Sequence, residues 1–350
     1  MIMASHAKTD VYVRDYPNQL NFLRQQVDET EPGLVFGLWV LLARAGVRLT
    51  WGDAEVLSGQ ALQFAYSRQP YEASDRAVLS PLDALSRALG VTWTEFTPSS
   101  ALKAFDIARE WVDEGALAIA RFRQPMLVFG YSPAKLESVL HTLRIEHRLP
   151  VLDLNPSECD RWEWRLQIDE GNSLLRVNFI EHPEPDWMGL LPIVVRRAIA
   201  NWRHEPHGTV EFGLAAYRAF AADLRNPDHD FTNSEPPSWM GPLLYRQIQA
   251  RTHIHQFLDR MAPRFGGKPR QVLAKASTNY GQCAVSWRAF AQHLGRVYEK
   301  REHGKALRGP DTHVLHWRDP QRRNAAAQQI DQAALWEARA ITELAKLLGT

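Results

Sequence analysis

The chain has 350 residues, 45% of them hydrophobic, with 41 Lys and Arg against 40 Asp and Glu. That is enough apolar material for two cores, and it argues against intrinsic disorder. A formal net charge of +1, spread along the chain, leaves no electrostatic footprint for nucleic acid or an anionic membrane.

The two cysteines, Cys159 and Cys283, make neither a disulfide framework nor a paired zinc motif, which fits a reducing, cytoplasmic setting. Residues 1–30, treated as an N-terminal extension, have no apolar core of signal-peptide length. No stretch carries the ~18 uninterrupted apolar residues of a membrane span.

From Pro32 to Ala45 apolar residues surround the helical wheel, the pattern of a helix buried on most sides, and Gly46 supplies its stop. "WGDAEVLSG" and "SPLDALSRALG" read as two further short helices of the same domain. The second has Ser80 as N-cap, Pro81 in its first turn and Gly90 past its end. A helix over "SALKAFDIAREWVDEG" leads into the β-prone runs "ALAIARF", "PMLVFGY" and "ESVLHTLRI". "LPVLDLNP", "WEWRLQI" and "SLLRVNFI" then continue strand character to Ile180.

Helices before strands, without βαβ alternation, predict an α+β domain with a mainly antiparallel sheet over 31–183. The acidic, proline-containing stretch at 181–186 marks a boundary. An all-α domain is expected over 184–350, with helices at 189–203, 210–225, 237–262, 268–302 and 320–348. Core stripes are expected at Tyr280, Ala284, Trp287, Ala291 and Leu294, and at Ala334, Leu335, Ala338, Ile341, Leu344 and Leu348.

Several phrases occur in a characteristic order: the buried helix, "LSGQALQFAY", "SPLDALSRALGV", "DEGALAIARF", "MLVFGY", "VLDLNP", and later "LLPIVVRRAIANW…GLAAYRAFAADLRN". In that order they resemble the butirosin biosynthesis protein H-like family, relatives of papain-like cysteine peptidases and acyltransferases with a helical C-terminal region. The resemblance implies a papain-like helix-plus-sheet domain and, in active members, acyl transfer from a carrier protein to an aminoglycoside amine. It also places a cysteine at the head of the buried helix, a histidine on the strand that follows, and an Asp or Asn to orient it.

Carried over position by position, the nucleophile falls at Gly33, which has no side chain, and the base at Gln124 or Pro125, neither of which takes up a proton near neutral pH. The third position falls in "LDLNP", where Asp153 and Asn155 are present. Asp153 also suits a plain turn before Pro156. No catalytic residue is therefore expected; Gly33, Gln124 and Asp153 are degenerate positions, and Ser58, Gln60, Gln124, Tyr131, Asp153 and Asn155 are candidate ligand contacts.

Other constellations carry less. His253 and His255, two apart, point to different helix faces and do not suit joint metal binding. His303, His313 and His316 follow no recognised ligand spacing. Cys283 beside an apolar stripe reads as a small core residue, whereas Cys159 sits in a polar turn. "RFGGKPR" reads as a connector between two long helices. The phosphate, dinucleotide and nucleophile-elbow motifs are missing, so no cofactor is called for.

The leading expectation is a catalytically degenerate papain-like protein serving as a binding or assembly component in bacterial specialised metabolism, its partner a small molecule, a peptide or an acyl carrier protein. A second is an acyltransferase in which Asp153 positions an amine to attack a carrier thioester directly, without a cysteine intermediate. A third is an interaction protein whose Trp-rich helices join copies of the chain into a homo-oligomer.

Overall fold

The computed structural model describes residues 11–12, 34–67, 80–99, 101–121, 125–132, 139–144, 173–181, 184–205, 208, 210–229, 240–294 and 318–349. They form two compact α+β units. The first draws on Met1–Leu49 and Leu89–Glu184, the second on Thr50–Ala88 and Pro185–Thr350.

In the first unit the helix α1 (Leu34–Arg44) is buried without interruption from Val35 to Leu42, as its all-round apolar pattern predicts. It stops in a Schellman motif. Val47 N donates to Leu42 O and Gly46 N to Ala43 O, with Gly46 at φ +91°. Trp39 Nε1 ties the helix to Leu49 O at 2.9 Å.

The sheet under α1 is antiparallel, built from β1 (Val11–Tyr12), β3 (Val91–Phe96), β4 (Ala118–Arg121), β5 (Pro125–Ser132), β6 (Val139–Arg144) and β7 (Ser173–Ile180). Its order is β1-β5-β4-β7-β3, with β6 on the other edge of β5. α1 packs on β4, β5 and β7, where Ile119, Leu127, Val128, Leu174 and Leu175 are buried.

The helix α4 (Ala101–Asp113) packs on β4, β5 and β6, and Gly115 closes it with a second Schellman pair. "VTWTEF" at 91–96 was not foreseen as a strand; it is β3, paired along β7 with an irregularity after Thr92. The expected strands at 149–156 and 162–168 lie outside the described residues.

The second unit begins with α2 (Trp51–Ser58), started by a capping box in which Thr50 and Asp53 satisfy each other's backbone N–H. α3 (Pro81–Leu89) starts at Ser80 as expected, with the Asp83 amide on Ser80 Oγ at 3.5 Å. Next come α5 (Trp187–Trp202), α6 (Gly213–Arg225), α7 (Met240–Met261), α8 (Gly267–His293) and α9 (Pro320–Ala345). A 3-10 turn at Ala262–Arg264 joins α7 to α8, so only the first part of "RFGGKPR" is a connector, and Gly267 to Arg270 form the first turn of α8.

Two expectations need correction. Segment 50–88 was assigned to the 31–183 domain, but its described residues, 50–67 and 80–88, fall in the second unit. The cause is electrostatic and steric: Asp53 and Glu55 of α2 pair with Arg260 and His253 of α7, and Arg197 of α5 donates to Leu57 O. Nor is this unit all-α, because β2 (Ala65–Ser67) pairs antiparallel with β8 (Val210–Phe212).

The core of the second unit gathers around Trp287 of α8, whose ring meets Phe64, Tyr217, Phe220 and Phe290 at centroid distances of 5.2, 5.9, 6.4 and 5.7 Å. The stripe expected on α8 is buried throughout. On α9 the expectation fails in part: Leu335 and Leu348 are exposed, and the buried line runs through Ala326, Ile330, Ala333, Glu337, Ala340 and Leu344. A charged residue occupies the centre of that line, so the helix is rotated from its apolar reading.

Gly213, at φ +52°, begins α6 directly after β8, where an added Cβ would lie 2.4 Å from Trp202 O. Gly46 has open space around it. Gly46→Ala should cost about 1–2 kcal/mol from the left-handed backbone alone. Gly213→Ala should cost more, because backbone must also shift; thermal unfolding of the two variants checks this, and equal losses would contradict it.

Candidate functional site

Among the expected contacts, Gly33, Gln124, Asp153 and Asn155 lie outside the described residues, as do Cys159, His303, His313 and His316. Tyr131 closes β5 in the first unit. Its hydroxyl donates to Asp113 Oδ1 at 2.8 Å and its ring stands edge-on to Phe105 at 6.0 Å. Burial, then the Asp113 carboxylate, raises its pKa above the ordinary tyrosine value. Tyr131 therefore braces α4 on the sheet.

Ser58 and Gln60 belong to the second unit. Ser58 Oγ donates to Glu55 O at 3.0 Å and accepts from the Gln60 amide at 3.3 Å, which closes α2 ahead of Gly59. The Ser58 hydroxyl is thus spent on the helix end, to which Gln60 contributes its backbone amide.

The densest polar constellation went unread in the sequence. Arg251 of α7 is fully buried, and its Nη2 donates to Glu337 Oε1 at 3.0 Å and Oε2 at 2.8 Å, with Nε on Oε2 at 3.2 Å. Its Nη1 meets Gln247 and, at 3.4 Å, Gln63 O. Tyr217 donates to Glu337 Oε2 at 2.5 Å and accepts from Trp287 Nε1 at 3.2 Å.

Burial works against the Arg251 charge, yet Glu337 outweighs it and the guanidinium is held more firmly protonated than usual. Burial drives Tyr217 and Tyr280 well above the ordinary tyrosine range. The Tyr280 hydroxyl, also buried, has no hydrogen-bond partner among the described residues.

Cys283 lies against this network, its Sγ 3.4 Å from Ala333 O and 4.0 Å from Glu337 Oε2. Burial first, then the Glu337 carboxylate, pushes the thiol up to about 12. A nucleophile must be accessible and ionised near neutral pH, and this thiol is neither.

His253 and His255 face different neighbours. His253 Nδ1 lies 2.6 Å from Glu55 Oε2, with Trp51 edge-on to its ring; His255 Nδ1 lies 2.8 Å from Ser277 Oγ. Each fastens one helix to another. Arg323 of α9 does the same for a helix end, donating to Asp223 O, Leu224 O and Asn226 O at the C-terminus of α6. Among the described residues no group of three or more His, Cys, Asp or Glu side chains is placed to hold a metal ion.

Within the second unit a groove of about 870 Å³ opens between the end of α5, β8, the start of α6 and the end of α9. Phe212 and Ile341 are its buried floor, and Trp202, Leu214 and small residues such as Ala215, Ala219 and Ala338 form its walls. Arg203 and Arg218 are exposed at it, Glu211 is half-buried, and His204 stands edge-on to Phe212 at 4.8 Å. Its size is that of a small-molecule site. The Arg251–Glu337 pair sets the α9 wall, since Glu337 precedes Ala338 and lies one turn before Ile341.

No protein-family model matches the chain, and no curated protein matches it either.

Arg251→Met should destabilise the second unit by about 3–5 kcal/mol, because it strands a buried carboxylate. Adding Glu337→Leu should recover most of that loss, as read by urea unfolding; a double variant no more stable than the single one would refute the pairing.

Cys283 gives a pH prediction. Its folded-state pKa is raised from 9.0 to about 12, so its contribution to stability is complete below pH 9 and is lost as pH climbs from 9 towards 12. Cys283→Ala should flatten that alkaline slope. Iodoacetamide at pH 8 should leave Cys283 unmodified until the chain unfolds, with peptide mass spectrometry as the readout.

Proposed function

We propose that the chain is a non-catalytic binding or assembly component, a degenerate papain-like relative of the butirosin biosynthesis protein H-like family working in the cytoplasm of a bacterial specialised-metabolism system. The observation that carries this reading is the setting of Cys283 and of the first described turn of α1. The first described turn of α1 is Leu34, Val35, Phe36 and Gly37, without a nucleophile, and Cys283 is sealed in the aromatic core of the other unit.

What remains is well suited to holding rather than transforming. The buried titratable pairs of the second unit, Arg251 with Glu337 and His253 with Glu55, are committed to joining helices, and the groove presents apolar walls with charges at its edge. Among the described residues no helix is long and apolar enough to cross a membrane.

The test is incubation of the full chain with an acylated phosphopantetheine carrier protein and an aminoglycoside. Intact-mass spectra should show no acyl adduct on the chain, and amine acylation should stay at the rate without protein, while native spectra of chain purified from its host retain a molecule released on denaturation. An acyl adduct, accelerated amide formation, or a chain that carries nothing would each overturn the reading.

A further inference from the structure

We propose that the groove of the second unit binds an organic monoanion with a flat apolar body, of the aryl carboxylate class. This goes beyond the reading above, and it stands whether or not the chain has a catalytic activity.

Charge decides the class of ligand. Arg203 and Arg218 both border the groove, and neither side chain makes an ion pair or hydrogen bond among the described residues. Some arginines of this unit find acids or carbonyls, as Arg225 does with Asp331, Arg260 with Asp53 and Arg323 with the end of α6. Others, such as Arg196, Arg264 and Arg270, stand exposed and unpaired as these two do, and what distinguishes Arg203 and Arg218 is that both border one concave surface.

Glu211, also without an ion pair, offsets one of them. The two guanidiniums and this carboxylate leave one positive charge in excess at the groove. That balance suits a single carboxylate, held by a forked guanidinium, and disfavours a polyanion, which Glu211 would repel.

The shape decides the rest. Aromatic rings sit at one side of the apolar surface: Trp202 and Phe212 line it, and His204 presents its ring edge-on to Phe212. Small residues on the facing helices, Ala215 and Ala219 on α6 and Ala338 on α9, leave room between these rings and Ile341. A flat ring system fills such a slot by stacking against side chains already held in place. Trp202 is fixed from behind by Tyr217, at 6.0 Å between centroids.

The probes are 2-naphthoate and its neutral counterpart 2-naphthamide, titrated calorimetrically into the full chain. Naphthoate should bind at least tenfold tighter than naphthamide, and should weaken as salt is raised from about 50 to 500 mM because surface charges are screened. The double variant Arg203→Gln/Arg218→Gln, both sites being exposed, should weaken naphthoate at least tenfold and leave naphthamide within twofold. Thr342→Trp, on the exposed groove wall of α9, should abolish both while circular dichroism stays unchanged.

Equal affinity for the two probes, no binding of either, or binding indifferent to the arginine and Thr342 variants would each overturn the proposal. Acyl-transfer assays do not enter this test, so its failure is distinct from failure of the non-catalytic reading.

Discussion

A guanidinium and a carboxylate buried together in an otherwise aromatic core order the helical unit. Arg251 and Glu337 come from α7 and α9, far apart in sequence, and each would be ruinous to bury alone. Paired, and supported by Tyr217, Gln247 and a backbone carbonyl, they admit one rotation of α9 and one only. Rotate α9 by nearly half a turn and Glu337 loses its partner, while Leu335 would replace it in the core. The pair thus acts as a register pin, and the groove wall on the same helix is a consequence of that register.

This also explains what could and could not be read along the chain. The burial of α1 was legible because eight consecutive positions leave no polar face, and α8 because its apolar stripe has an unbroken helical period. α9 misled because apolar periodicity treats Glu337 as solvent-facing, and only the partner on α7 reverses that reading. A Glu set among alanines at core spacing, in a chain that also has an Arg amid apolar residues on another helix, is the one signal that could have exposed it. β3 was missed because Thr and Glu interrupt its apolar residues, although Thr-Trp-Thr alternation is strand-like. The allegiance of 50–88 depends on Asp53 and Glu55 finding Arg260 and His253, some two hundred residues away, which local pattern cannot express.

For the site, legibility was poorer still. That Gly33 offers no nucleophile is plain from the residue itself, whereas Ser58, Gln60 and Tyr131 were chosen for polarity and position. Polarity does not distinguish a side chain that meets a ligand from one that closes a helix, and Ser58 and Tyr131 are of the second kind. Arg203, Arg218 and Glu211 gave no motif because only the fold brings them to the border of one groove.

The most direct measurement is nitrogen-15 NMR of the Arg251 guanidinium in the intact chain. A buried forked pair should give separate, slowly exchanging Nη protons and a protected Nε proton with contacts to the Tyr217 ring. A single averaged signal that exchanges with water as fast as a surface arginine would show that α9 is not held by this pair, and the account of the helical unit and its groove would fall with it.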